Sequence, residues 1–113
     1  MALSVADIVN GSPRLRSKKV DYGNGLIFEL KSFTAAAFKE LAAEMVKHAK
    51  DPTDDHVVAS AIRFIEGENH IPSETEILAF RTNLDTAVLN QIVLDGIDLN
   101  SGAMDVAAQA KKS

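Results

Sequence analysis

Residues 19–31 read KVDYGNGLIFELK, and the reading of this stretch decides the fold. Val20 and Tyr22 alternate with Lys19 and Asp21; Leu26, Phe28 and Leu30 alternate with Ile27, Glu29 and Lys31. That two-residue period is the mark of half-buried strands. Between the two runs, Gly23-Asn24-Gly25 offers residues that tolerate the positive φ of a tight turn. The segment is therefore a predicted β-hairpin. Two strands alone are marginal in water, so the hairpin must lie on helices or join the sheet of another chain. A phosphate-binding loop is excluded, because no GK[ST] follows the glycines.

Downstream the period changes to that of helices. Thr34 is a predicted N-cap, with Phe33 placed to staple onto Phe38. Phe38, Leu41, Ala42, Met45, Val46 and Ala49 then recur at helical spacing, with Lys39, Glu40, Glu44 and Lys47 on the wet side. Asp51-Pro52 stops this helix, since a residue before proline avoids the helical region. A second helix is expected with Thr53 as its cap and Asp54 and Asp55 in its first turn. Its apolar face is Val57, Val58, Ala61, Ile62 and Ile65, and Gly67 closes it. Ser73-Glu74-Thr75-Glu76 is a capping box for a third helix, whose buried side is Ile77, Leu78 and Phe80 and which Asn83 stops. Asp85 caps a fourth, with Leu84 and Leu89 as a staple and Val88, Leu89, Ile92, Val93 and Ile97 as its stripe.

Upstream, residues 2–9 predict a short helix capped by Ser4, which Asn10-Gly11-Ser12-Pro13 ends. Arg14 to Lys19 follow as an exposed basic connector. The expected fold is mainly α: a small bundle of about four helices preceded by a β-hairpin. Its domain plan is an N-terminal segment over 1–18, one globular domain over 19–100 and a flexible tail over 101–113.

Composition narrows the function by exclusion. The 113 residues fit one domain, which buries less than roughly 68–70% of the surface of its unfolded chain. There is no cysteine, which excludes a disulfide scaffold, a CxxC zinc site and thiol catalysis. The net charge is −4, which argues against general nucleic-acid binding. That balance conceals a split. Asp51 to Asp105 carry eleven acids and two bases, a net of about −9, and the remainder carries ten bases and five acids, about +5. Such a subunit can attract its own copies or a basic partner through its acidic half. No run of 18 apolar residues exists, and the start of the chain lacks the basic and apolar regions of a signal peptide, so neither membrane nor export is expected.

No residue pattern supports catalysis or a cofactor. His48, Asp51, Asp55 and His56 flank the first helix–helix loop, but their spacing matches no HExxH motif, and acids beside a helix cap are expected anyway. Asp98-Leu99-Asn100-Ser101-Gly102 resembles a piece of a calcium loop, yet Gln109 stands where the bidentate Glu belongs. Ser32, Ser73, Glu74 and Glu76 are explained by helix starts, and no GxSxG occurs. The basic run Arg14-Leu15-Arg16-Ser17-Lys18-Lys19 has no interleaved aromatic, and the last helix has no Lys or Arg over residues 86–95. No enzyme, no cofactor and no metal are expected.

The order of the elements carries a resemblance. A strand leads into the helix start Glu29-Leu30-Lys31-Ser32-Phe33-Thr34. A middle helix is followed by Pro72-Ser73-Glu74-Thr75-Glu76-Ile77. A final helix runs into Asp98-Leu99-Asn100-Ser101-Gly102 and a short polar tail ending in Lys111-Lys112-Ser113. Over residues 18–113 the chain resembles the tail assembly chaperones of phages with long, non-contractile tails. The resemblance implies a non-catalytic factor of the bacterial host cytoplasm, absent from the mature virion. It would bind the tape measure protein and help recruit tail tube protein through a longer, frameshifted form. Ala110, Lys111 and Lys112 then mark the frameshift position, since codons GCA-AAA-AAG would contain a slippery heptamer. Homo-oligomers are also expected, with Val20, Tyr22, Leu26, Phe28 and Leu30 as the self-association edge, because a strand edge invites pairing. The alternatives are a structural tail or head-completion protein and, behind it, a small DNA-binding regulator.

Overall fold

A computed structural model describes residues 2–48, 51 and 53–101. Its elements, in chain order, are α1 (Val5–Val9), β1 (Ser17–Asp21), β2 (Ile27–Lys31), α2 (Ala35–His48), α3 (Asp55–Glu66), α4 (Glu74–Asn83) and α5 (Thr86–Ser101). The protein is thus mainly helical, with one antiparallel hairpin. Val20 pairs with Phe28 and Lys18 with Leu30. The turn is built from three consecutive positive-φ residues, Gly23 (φ 94), Asn24 (φ 53) and Gly25 (φ 78). Side chains of β-branched or bulky residues resist that conformation, which is why glycine flanks the asparagine.

The hairpin finds its support inside the same chain. β2 packs on α3 and α5, and α3 also meets α2 and α4. Leu30, Phe33, Leu41, Val57, Ala61, Phe64, Ile92 and Val93 form the principal core, with Val20, Tyr22 and Phe28 packed against it. A second cluster of Val58, Ile62 and Leu89 takes in Ile77, Phe80 and Leu84 from α4 and the α4–α5 turn. Phe64 is fully buried, and burying such a side chain contributes roughly 1.5–3 kcal/mol. Its ring lies over Gly96 of α5, where a Cβ would stand 2.3 Å from Phe64 Cγ. Gly96 is therefore a place where α3 and α5 leave no room for a side chain.

The caps explain most element boundaries. Ser4 accepts from Asp7 N at 3.2 Å while Asp7 accepts from Ser4 N at 2.8 Å. Ser73 and Glu76 repeat the arrangement at the start of α4. Asp85 accepts from Val88 N at 2.8 Å at the start of α5, and Gly67 ends α3 with φ 116.

Five expectations need correction. β1 begins at Ser17, so the basic connector ends at Arg16 and a domain boundary after residue 18 would cut a strand. The N-cap of α3 is Asp54, which accepts from His56 N at 2.9 Å; Thr53 instead donates to Asp51 Oδ1. Val46 is exposed, because α2 lies at the rim against α3 and presents only its Leu41 side to the core. Leu78 is exposed too, since the adjacent Ile77 takes the inward position and a helix turns about 100° per residue. Finally, α5 continues to Ser101, so the first residue of the expected tail is still helical. Ala49 and everything after Ser101, including Ala110, Lys111 and Lys112, lie outside the described residues.

Candidate protein-interaction surface

The residues expected at a self-association edge are used internally. Leu30 is 1% exposed, and Val20, Tyr22, Leu26 and Phe28 are half-buried. Val20, Tyr22 and Phe28 touch the principal core; Tyr22 and Phe28 also approach each other at 6.2 Å, as do Phe28 and Phe80. The hairpin's apolar side is therefore this protein's own interior. Its other side carries Lys19, Asp21, Ile27 and Glu29, all exposed.

What a second chain could pair with is backbone. Ser32 N donates to Arg16 O and Tyr22 N donates to Leu26 O, each 2.8 Å. Hydrogen-bonded and non-bonded pairs alternate along an antiparallel ladder, so Ser17, Lys19 and Asp21 turn their N–H and C=O groups away from β2. The sheet has two strands among the described residues, and the outer edge of β1 is thus a strand edge flanked by charged side chains. Lysines on an edge are a common way to discourage uncontrolled pairing.

Polar ties hold this edge to α5. Arg16 Nη2 donates to Leu99 O at 2.5 Å, and Tyr22 Oη donates to Asp95 Oδ2 at 2.8 Å. Asn100 Oδ1 accepts from Phe33 N at 2.5 Å, while its Nδ2 donates to Gly96 O at 2.8 Å. Burial and the acceptor role of Asp95 both raise the Tyr22 phenol above its ordinary pKa. Beside these ties runs an open cleft of about 420 Å³, lined by Arg16, Lys18, Leu30, Asp95, Asp98 and Leu99. At the start of α2, Thr34 N and Oγ1 both donate to the Glu68 carboxylate, at 2.7 and 3.0 Å. The Arg63 guanidinium lies 5.2 Å from the Phe33 ring centroid and donates to Glu68 O.

The exposed apolar side chains mark a different surface. None of α1 is buried, and Leu3, Val5, Ile8 and Val9 are all largely exposed. Ile8 also borders a shallow cleft with Pro13, Leu15 and Phe33. Four large apolar residues within seven positions form an unusual arm for a surface on which single exposed apolar residues are normal. The sequence shows this segment as a capped helix; the structure shows that, among the described residues, nothing of its own chain buries it.

The histidines divide into two environments. His70 Nε2 lies 2.8 Å from Glu76 Oε2, and with the Ser73 N–H, the larger influence, it holds that carboxyl below its ordinary range. His48 and His56 instead stack at 3.9 Å between ring centroids with an 11° interplanar angle. Asp51 and Asp55, considered with them from sequence, point elsewhere: Asp51 is held by Thr53, whose bonds lower its pKa, and Asp55 pairs with Arg81. Glu44, one helical turn before His48, takes their place. No family model, curated protein or solved structure matches this chain.

Proposed function

We propose that this protein is a non-catalytic phage tail assembly chaperone that binds the tape measure protein during tail morphogenesis. The observation that carries the reading is the uncovered apolar arm of Leu3, Val5, Ile8 and Val9, together with the resemblance in element order. A client that is long, helical and prone to aggregate presents apolar stripes, and a binder needs apolar contacts of its own with a polar rim for solubility. The charged residues around β1 and on α3–α5 supply that rim. Recruitment of tail tube protein belongs to a longer, frameshifted form in this reading, and the chain acts in the host cytoplasm as a homo-oligomer.

Co-expression with the long coiled-coil-rich reading frame of the same gene cluster tests the reading. The expected result is a soluble complex that co-purifies, and absence of the chain from purified particles by mass spectrometry. Presence in the particle would favour the structural tail or head-completion alternative. No complex and no rescue of client solubility would refute the chaperone reading.

A further inference from the structure

We propose that Glu44, His48 and His56 form a binding site for one divalent transition-metal ion of the zinc class, bridging the end of α2 and the start of α3. One ligand atom from each of the three residues lies within 4.8 Å of the other two. The site is independent of the chaperone reading and rests on its own geometry. Glu44 and His48 stand one turn apart on α2, so their side chains leave the same face. His56 enters from the first turn of α3. Two helices therefore converge on the point, as a site of more than local origin requires.

The donor set suits the ion. Two neutral imidazoles and a carboxylate are the protein ligands of many zinc sites that leave the fourth position to water, and imidazole nitrogen favours Zn²⁺, Cu²⁺ and Ni²⁺ over Mg²⁺ and Ca²⁺. The surroundings of His48 already divide its two ring nitrogens. Nε2 lies 3.9 Å from Glu44 Oε2, and Nδ1 lies 3.8 Å from Asp54 Oδ1. A carboxylate at the second nitrogen is the usual way a protein fixes the tautomer of a metal-binding histidine. Asp54 itself is fixed as the α3 cap by its bond to His56 N.

Occupancy requires a small rearrangement. Bonds of about 2.0–2.1 Å in a tetrahedron place ligand atoms roughly 3.3 Å apart, so the present spacing, within 4.8 Å, must close by up to about 1.5 Å. The stacked rings must also rotate, because parallel imidazoles do not aim their lone pairs at one point. His56 and Glu44 are exposed and can turn without repacking the core.

The test is isothermal titration of ZnCl₂ into the full chain, prepared without a polyhistidine tag, with thermal unfolding followed in parallel. Expected are one Zn²⁺ per chain and a rise in melting temperature that EDTA reverses. His48→Ala and His56→Ala should each weaken binding at least about tenfold, while His70→Ala, at the separate Glu76 pair, should leave it unchanged. His56 is exposed, so its variant reports even if the His48 variant fails to fold. Undiminished binding in His56→Ala, a stoichiometry of one Zn²⁺ per two chains, or no saturable heat would each overturn the site.

Discussion

Gly96→Ala sets two opposing effects against each other, and the structure decides the sign. A Cβ at this position would fall 2.3 Å from both Cγ and Cδ2 of Phe64 and 2.7 Å from Cδ1. Carbon atoms pack at about 3.5–4.0 Å, so the ring must retreat by more than about 1 Å. It has nowhere free to go. Phe64 is fully buried in the principal core, with the Phe33 ring against it, 5.4 Å away at 37°. Overpacking costs typically about 1–3 kcal/mol, and a clash with three ring atoms belongs at about 3. Against this, alanine in a helix interior is better than glycine by about 1 kcal/mol. The net expectation is a loss of about 2 kcal/mol, or about 8–16 °C in melting temperature for a domain of this size. Thermal and urea unfolding by circular dichroism measure it. In a Phe64→Leu background the same substitution should cost at least about 1 kcal/mol less, which is the coupling expected of residues in contact. A Gly96→Ala protein that melts higher than the wild type, or an equal cost in both backgrounds, would refute the packing argument.

Other predictions concern the caps and the edge. The Ser73 N–H and His70 hold the Glu76 carboxyl below the ordinary carboxylate range, so the stability it contributes is present above that range. It is lost as pH falls through the lower folded value. Glu76→Gln keeps the capping geometry and should flatten this acid limb in urea midpoints measured against pH. Tyr22→Phe removes the bond to Asp95 and should cost about 1 kcal/mol, with Asp95→Asn adding less in that background than alone. Sedimentation at high concentration should show self-association, and Lys19→Pro, at an outward-facing N–H of β1, should shift it to monomer without lowering the melting temperature; a wild-type chain that stays monomeric counts against edge pairing. Removing residues 2–11 should leave stability within about 0.5 kcal/mol, since none of α1 is buried, while weakening the complex with the client.

Legibility in the sequence followed the range of the interaction. Most features decided within four residues could be read: the Ser4 and Ser73 caps, the Gly23-Asn24-Gly25 turn, Gly67, and the Leu89/Ile92/Val93 stripe, the α3 cap at Asp54 rather than Thr53 being the exception. Features decided by distant partners could not. Phe64 stands between positions of the stripe Ala61/Ile62/Ile65, yet it becomes the centre of the core because Gly96, 32 positions later, leaves room for its ring. Asn100 reads locally as one residue of the run Asp98–Gly102, but its amide satisfies Phe33 N across the fold. A glycine and an asparagine near a helix end read locally as breakers; here both are contact residues. The candidate edge shows the same limit. Alternation showed which hairpin side chains share a face, and nothing in alternation says whether that face meets this chain or another. The His48–His56 pair lies in between: the sequence placed both at one loop, while the choice of Glu44 over Asp51 and Asp55 depended on which acids the caps and Arg81 had already engaged.

That last point changes the meaning of the acidic half. Of the ten acids in residues 51–101, seven accept hydrogen bonds within the fold: Asp51, Asp54, Asp55, Glu68, Glu76, Asp85 and Asp95. Four of these, Asp54, Asp55, Glu76 and Asp85, sit at helix N-termini, opposite the partial positive charge of roughly half an electron that each helix start carries. Arg16 and Lys18 line the same cleft as Asp95 and Asp98. Much of the charge split is therefore met inside the molecule, and the field available to a basic client is smaller than −9 against +5 suggests. Recognition should then rest on the apolar arm. Raising salt should weaken a client complex only slightly, whereas Ile8→Asp together with Val5→Asp should abolish it. A steep loss of affinity with salt, and indifference to those two substitutions, would return the acidic helices to the centre of the binding surface.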